Sequence, residues 1–145
     1  MEKVELEHAM DSFRSACKAA GLKVTPQRTI IYNELIASTD HPSIDNLYRR
    51  VRKLLPNISF DTVYRTVLTF SQIGIASIVD GYGGSKRFDP NMKPHHHFRC
   101  INCQSIIDFY HDEYDNMEIP PDIRERFTVL NKRVQLEGIC ERCVS

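Results

Sequence analysis

Apolar residues recur at intervals of three and four from the start of the chain to Ile73, and at intervals of two after His95. A helical half followed by a strand-rich half is therefore predicted. Leu6, Ala9, Met10, Phe13, Ala16 and Cys17 form one apolar stripe over 4–20, with Gly21 standing at a helix C-cap position. Thr25-Pro26 supplies an N-cap and a proline at the first helical position, and Ile30, Ile31, Leu35 and Ile36 carry a second helix to about Ala37. His41-Pro42 breaks the chain and Ser43 caps again. Ile44, Leu47, Tyr48, Val51 and Leu54 then mark a third helix ending before Pro56. Ser59 opens a fourth, with Val63, Val67, Phe70 and Ile73 inward and Gly74 closing it.

Short extended runs follow at Ile75–Val79 and Lys86–Phe88, joined by the glycine-rich stretch 80–85, a hairpin pattern. Three short helices, a fourth with polar side chains near its start, and a hairpin outline a winged helix-turn-helix, in which the last helix enters the DNA major groove. On that helix Arg65 has the donor geometry to read guanine, while Ser59, Thr62 and Tyr64 suit phosphate contacts. The same residue set would equally make a solvated helix face.

Beyond His95, extended segments are expected at His97–Arg99, Ile106–Phe109 and Thr128–Glu137, with a short helix beginning at Pro121 and carrying Ile123, Arg124 and Phe127. The fold class is α+β. A small sheet with one helix buries little core, so some other device must hold the second half together.

Composition changes this picture only slightly. With 41% apolar and 26% charged residues and a formal net charge of zero, the chain reads as an ordinary globular protein. A modest basic excess between Gly21 and Phe70 gives weak support to nucleic-acid binding. The charged opening segment Met1–Asp11 looks unlike a signal peptide, and no apolar run is long enough to span a membrane, so the cytoplasm is the expected compartment.

The chemistry lies in the cysteines and histidines. Cys100/Cys103 and Cys140/Cys143 are two CxxC pairs, the usual form of a tetrahedral thiolate zinc site. Four thiolates leave no open position, so this Zn2+ is structural. Two disulfides are the alternative, and they suit an exported protein better. Cys17 lies in the first apolar stripe and reads as a small buried hydrophobe. A second group contains no sulfur. His95 and His97 alternate along an extended segment and point to one side, with His96 on the other; Asp89 lies just upstream and Asp108 on the next strand. His41, in the turn before the third helix, could complete a nitrogen/oxygen shell suited to Fe(II), Mn(II), Co(II) or Zn(II). His111, Asp112 and Glu113 could form a further weak site, or simply a solvated turn.

These residues occur in an order that resembles the ferric uptake regulator (Fur) family, and within it most nearly the peroxide-sensing PerR branch. The resemblance rests on 21–28 (GLKVTPQR), His41-Pro42, Thr62-Val63-Tyr64-Arg65, Arg87-Phe88-Asp89, 95–100 (HHHFRC), Cys103 with Ile107-Asp108-Phe109, and Gly138-Ile139-Cys140 with Cys143. It implies a homodimeric repressor with a winged-helix DNA-binding domain over 1–90 and a small α/β, metal-binding dimerisation domain over 91–145. Such a protein binds a palindromic double-stranded operator when the regulatory metal is loaded. Carried over residue by residue, it puts structural zinc on Cys100, Cys103, Cys140 and Cys143, and a regulatory Fe2+ or Mn2+ on His41, Asp89, His95, His97 and Asp108. Asp108, where Fur-like members more often have Glu, and the lack of a histidine between Thr128 and Leu136 favour peroxide sensing; Arg65 is the Fur-like choice on the recognition helix. Peroxide sensing implies 2-oxo-histidine formation at His41 or His95. The alternatives are an iron-sensing Fur-type repressor without peroxide chemistry, a zinc-stapled metalloenzyme, and a zinc-ribbon interaction module that does not bind DNA.

Overall fold

In a computed structural model, residues 3–80, 86–129 and 132–144 are described. The chain separates into two compact units, Met1–Met92 and Lys93–Ser145.

The first unit is built from α1 (Lys3–Ala19), α2 (Pro26–Ala37), α3 (Ile44–Leu54), α4 (Phe60–Gln72) and the strands β1 (Ser77–Asp80) and β2 (Lys86–Asp89). The capping expected from the sequence is present. Hydroxyl oxygens of Thr25, Ser43 and Ser59 accept from the backbone N–H groups of Arg28, Asn46 and Thr62, starting α2, α3 and α4. Gly21 and Gly74 end α1 and α4 at φ 71° and 85°. Next to them, Leu22 N–H reaches back to Cys17 O at 2.8 Å and Ile75 N–H to Phe70 O at 3.0 Å. The inward faces meet in one core centred on three aromatic rings. Phe13 stacks on Tyr32 at 4.6 Å, and Phe70 meets both edge-on at 5.7 and 5.6 Å. Cys17 is fully buried beside them, where burial pushes its thiol pKa up. Two residues assigned to apolar faces point elsewhere, because each lies at a helix end past the reach of the core: Leu6 is exposed on α1 and Leu54 on α3. β1 and β2 pair antiparallel with Ile78 opposite Phe88, as a wing hairpin requires. Its expected glycine turn at 81–85 lies outside the described residues.

The second unit comprises β3 (His96–Cys100), β4 (Ile106–Phe109), α5 (Asp112–Asp115), α6 (Pro121–Arg126), β5 (Gln135–Gly138) and α7 (Glu141–Val144). β3 is central, antiparallel to β4 and parallel to β5. A parallel neighbour demands a crossover, and the chain from β4 through α5 and α6 supplies it. The last strand is shorter than the pattern predicts: of 128–137 only Gln135 onward pairs, and residues 130–131 lie outside the described set. Two helical turns, α5 and α7, are absent from the expectation because four-residue helices are too short to show a period. α6 does begin at Pro121 and is short, yet Phe127 sits past its end and is exposed, so it anchors no core here.

Register sorts the sheet into two faces. His97, Arg99, Asp108, Gln135 and Glu137 share one face, while Phe98, Ile107 and Leu136 lie side by side on the other. Gly138 lies on that second face, where a Cβ would stand 3.3 Å from the Phe98 ring and press it aside by a few tenths of an ångström.

Candidate metal centres and DNA-reading helix

All four CxxC cysteines converge in the second unit. Their sulfurs lie within 4.8 Å of one another, with Cys103 Sγ 3.7 Å from Cys140 Sγ. Sulfurs bound about 2.3 Å from one tetrahedral zinc stand about 3.8 Å apart, whereas a disulfide needs about 2.05 Å. No cysteine is paired, so the geometry fits an ion and the disulfide alternative falls. The turn after β3 shapes the first half of the site. Gln104 N–H closes on Cys100 O at 2.9 Å, and Gln104 takes a left-handed φ of 65°, which turns Cys103 back toward Cys100. Backbone N–H groups of Cys103 and Cys140 point at Cys100 Sγ, each at 3.4 Å, and lower its pKa to about 6. Cys103 is lowered by the Ser105 hydroxyl, 3.0 Å away, and by the Ser105 backbone. Cys143 goes the other way, to about 11: Asn102 favours its thiolate, but the neighbouring Cys140 sulfur and burial outweigh that help. Backbone donors aimed at sulfur are what a thiolate site needs, because they stabilise the deprotonated ligand.

The nitrogen and oxygen donors form one group in each unit. In the first, His41 Nε2 lies 3.2 Å from Asp89 Oδ2, and both side chains are buried. The Asn91 backbone N–H donates to the other Asp89 oxygen at 2.9 Å, orienting the carboxylate. In the second, His97 Nε2 stands 3.2 Å and His95 Nε2 3.8 Å from Asp108 Oδ1, with the two imidazoles 4.8 Å apart and edge-on. The Lys93 carbonyl accepts from His95 Nδ1 at 2.7 Å. That bond requires the proton on Nδ1, which leaves Nε2 as the nitrogen open to a cation. Two imidazoles and a carboxylate within one ligand radius suit a borderline divalent cation.

His96 points to the opposite face, as the alternation predicts. Its partners were not foreseen: Nε2 donates to Asp115 Oδ1 at 2.8 Å, and Nδ1 accepts from Val134 N–H at 3.0 Å. Both partners lie far away in sequence with no spacing signal to link them to His96. Also missed was the frame around His41. Asp40 is held by Arg50, whose hydrogen bond keeps its carboxyl below the ordinary range, and the Arg87 guanidinium reaches the Asp40 and His41 carbonyls. The basic residue two positions before Asp89 was the available signal. His111 lies in an exposed turn with Glu113 at 3.8 Å, at the N-cap position of the one-turn α5 but without a side-chain capping bond, the solvated alternative.

On α4, Arg65 is well exposed and its Nε donates to Asp61 one turn earlier at 3.0 Å. Tyr64 is half-buried and stacks on Phe60, which meets Tyr48 edge-on. The Ser59 and Thr62 hydroxyls are engaged with each other at 2.8 Å while Ser59 caps the helix. They contribute to the helix start first.

The chain thus combines a winged helix-turn-helix with a small mixed sheet that carries a four-cysteine cluster, the architecture of a metal-responsive transcriptional regulator. Residues 19–137 match the sequence profile of the ferric uptake regulator family, and the chain belongs to that family. The peroxide-responsive repressor PerR of Staphylococcus epidermidis is 32% identical over 98% of this chain and 95% of its own length. Among solved structures, the Helicobacter pylori ferric uptake regulator, described as having three functional metal-binding sites, superposes with a TM-score of 0.76 at 23% identity, covering 97% of this chain and 94% of that one. The Vibrio cholerae ferric uptake regulator gives 0.65 at 29% identity over 87% and 98%. Members of the family are transcriptional regulators and not enzymes, which removes the metalloenzyme reading. Among the described residues no helix is long and apolar enough to cross a membrane.

Proposed function

We propose that the chain is a metal-dependent DNA-binding repressor that senses peroxide through Fe(II) or Mn(II) held by His41, Asp89, His95, His97 and Asp108. The observation that carries this reading is the orientation of His95. With Nδ1 committed to the Lys93 carbonyl, its Nε2 lone pair and those of His97 and Asp108 form a hard-to-borderline donor set without sulfur. Similarity to a peroxide-responsive repressor over nearly the whole chain supports it.

The structural Zn2+ belongs to Cys100, Cys103, Cys140 and Cys143, where it staples the second unit. His41 and Asp89 come from the first unit and the other three ligands from the second. Shared ligation therefore biases the chain toward one posture, with a coupling of about 1–3 kcal/mol. In that posture Arg65 reads guanine and Tyr64, Ser59 and Thr62 hold phosphates of a palindromic operator. The two-fold symmetry comes from a homodimer formed through the second unit, whose exposed Ile107, Leu136 and Ile139 offer apolar surface. The expected compartment is the cytoplasm.

Bound iron would supply the electron that splits peroxide. One oxygen atom is then added to an imidazole carbon of His41 or His95, giving 2-oxo-histidine with water as the other product. A ligand so altered binds poorly, and the operator is released. Mass spectrometry of the iron-loaded protein after peroxide, alongside retention of operator DNA, tests this. A gain of one oxygen on either histidine together with DNA release is expected. Release on chelation but not on peroxide would instead assign the iron-sensing Fur-type role, toward which Arg65 leans.

A further inference from the structure

His41 sits in the loop 38–43 with φ 50°, a left-handed conformation that a residue with a Cβ adopts only when its surroundings enforce it. The enforcing contacts come from two directions. From β2, Arg87 Nη1 donates to the carbonyl oxygens of Asp40 and His41, both at 3.3 Å. Phe88 N–H donates to Pro42 O at 3.0 Å, and Ser43 bridges antiparallel to Arg87. From α3, Arg50 grips the Asp40 carboxylate with both terminal nitrogens at 3.0 and 2.8 Å. The same guanidinium donates to Ser38 Oγ at 2.7 Å, and that hydroxyl donates to Glu34 O at the end of α2.

We propose that Arg87, backed by Arg50, is a positioning residue that sets the affinity of the regulatory ion by shaping the His41 backbone before the ion arrives. This rests on His41 and Asp89 being ligands of that ion. Arg87 and Asp89 lie two residues apart on β2, so the strand that contributes the carboxylate also fixes the loop that contributes the imidazole. An ion meeting a preformed His41–Asp89 pair spends less of its binding energy on ordering the loop. Arg87 donates to backbone carbonyls and its charge also acts on the Asp40 carboxylate, and Arg50 reaches His41 through Asp40; neither is a ligand.

The test uses the full-length, zinc-loaded protein and Mn(II) as probe, with affinity read by competition against a fluorescent chelator. Arg87→Ala is expected to weaken Mn(II) binding about tenfold, the lower end of what outer partners of metal ligands contribute. Arg87→Lys should recover part of the loss, because an ammonium can still reach a carbonyl. Arg50→Gln should show a smaller loss, and His41→Ala a larger one. Zinc content and the melting temperature without Mn(II) identify any variant that has lost its fold. Wild-type Mn(II) affinity in Arg87→Ala, with His41→Ala impaired, overturns the positioning role alone. Wild-type affinity in His41→Ala overturns the ligand assignment as well. Should Arg87→Ala not fold, Arg50→Gln decides: unchanged Mn(II) binding there overturns the proposal.

Discussion

The two units solve the same problem by different physics. In the first, Phe13, Tyr32, Phe70 and the aliphatic faces of four helices exclude water from a continuous core. In the second, the fully or nearly buried positions are Cys100, Cys140 and three histidines, while Ile107, Leu136, Ile139 and Phe127 face outward. A unit whose inside is made of donors is held by what the donors bind. The first unit buries apolar side chains, whereas the second buries groups of the kind that ligate metals.

Metal removal is the strongest way to break that contrast. Structural zinc contributes about 10–16 kcal/mol in small domains, so Cys100→Ala or exhaustive chelation should unfold residues 93–145 and leave the helices of 3–80 intact. Limited proteolysis checks this: cleavage confined to the second unit supports the contrast, and concerted loss of both refutes it. Next in size is the reciprocal lesion. Phe70→Ala removes a ring packed against both Phe13 and Tyr32 and should cost the first unit about 3–5 kcal/mol in denaturant unfolding. Zinc content per chain should not change.

Gly74→Ala isolates backbone from packing. Nothing lies within 4 Å of a Cβ there, so the expected loss of about 1–2 kcal/mol comes from the left-handed φ alone. A melting shift within error would show that the α4 terminus relaxes. The smallest effect is on protons. With the second unit folded, Cys100 has a pKa depressed to about 6. Its thiolate therefore favours the fold above the ordinary thiol pKa, and that contribution is lost as pH falls through about 6. At a fixed, limiting zinc concentration, resistance of residues 93–145 to proteolysis should therefore fall as pH drops through about 6. Equal resistance at pH 8 and pH 5 would refute this.

Sequence reading succeeded where a local rule governs. Caps at Thr25, Ser43 and Ser59, stops at Gly21 and Gly74, and the CxxC spacing each bind neighbours within a few residues, so the pattern contains its own cause. The alternation His95/His97 against His96 was legible for the same reason. What could not be read depends on partners brought together by folding. The Asp115–His96–Val134 bridge joins three distant segments, and Arg50 and Arg87 approach the His41 loop from different elements. Leu6 and Leu54 obey helical periodicity, yet the neighbouring elements end before covering them.

One strand, β3, presents His97 and Arg99 to one side of the sheet and Phe98 to the other, with Cys100 at its end. Sliding it by a single position along either neighbour would invert the pairing, sending His97 to the side of Ile107 and Leu136 and Phe98 to the side of Asp108. Cys100 converges with Cys103, Cys140 and Cys143 at the strand's end, so an ion bound there would forbid that slip and fix which way His97 faces.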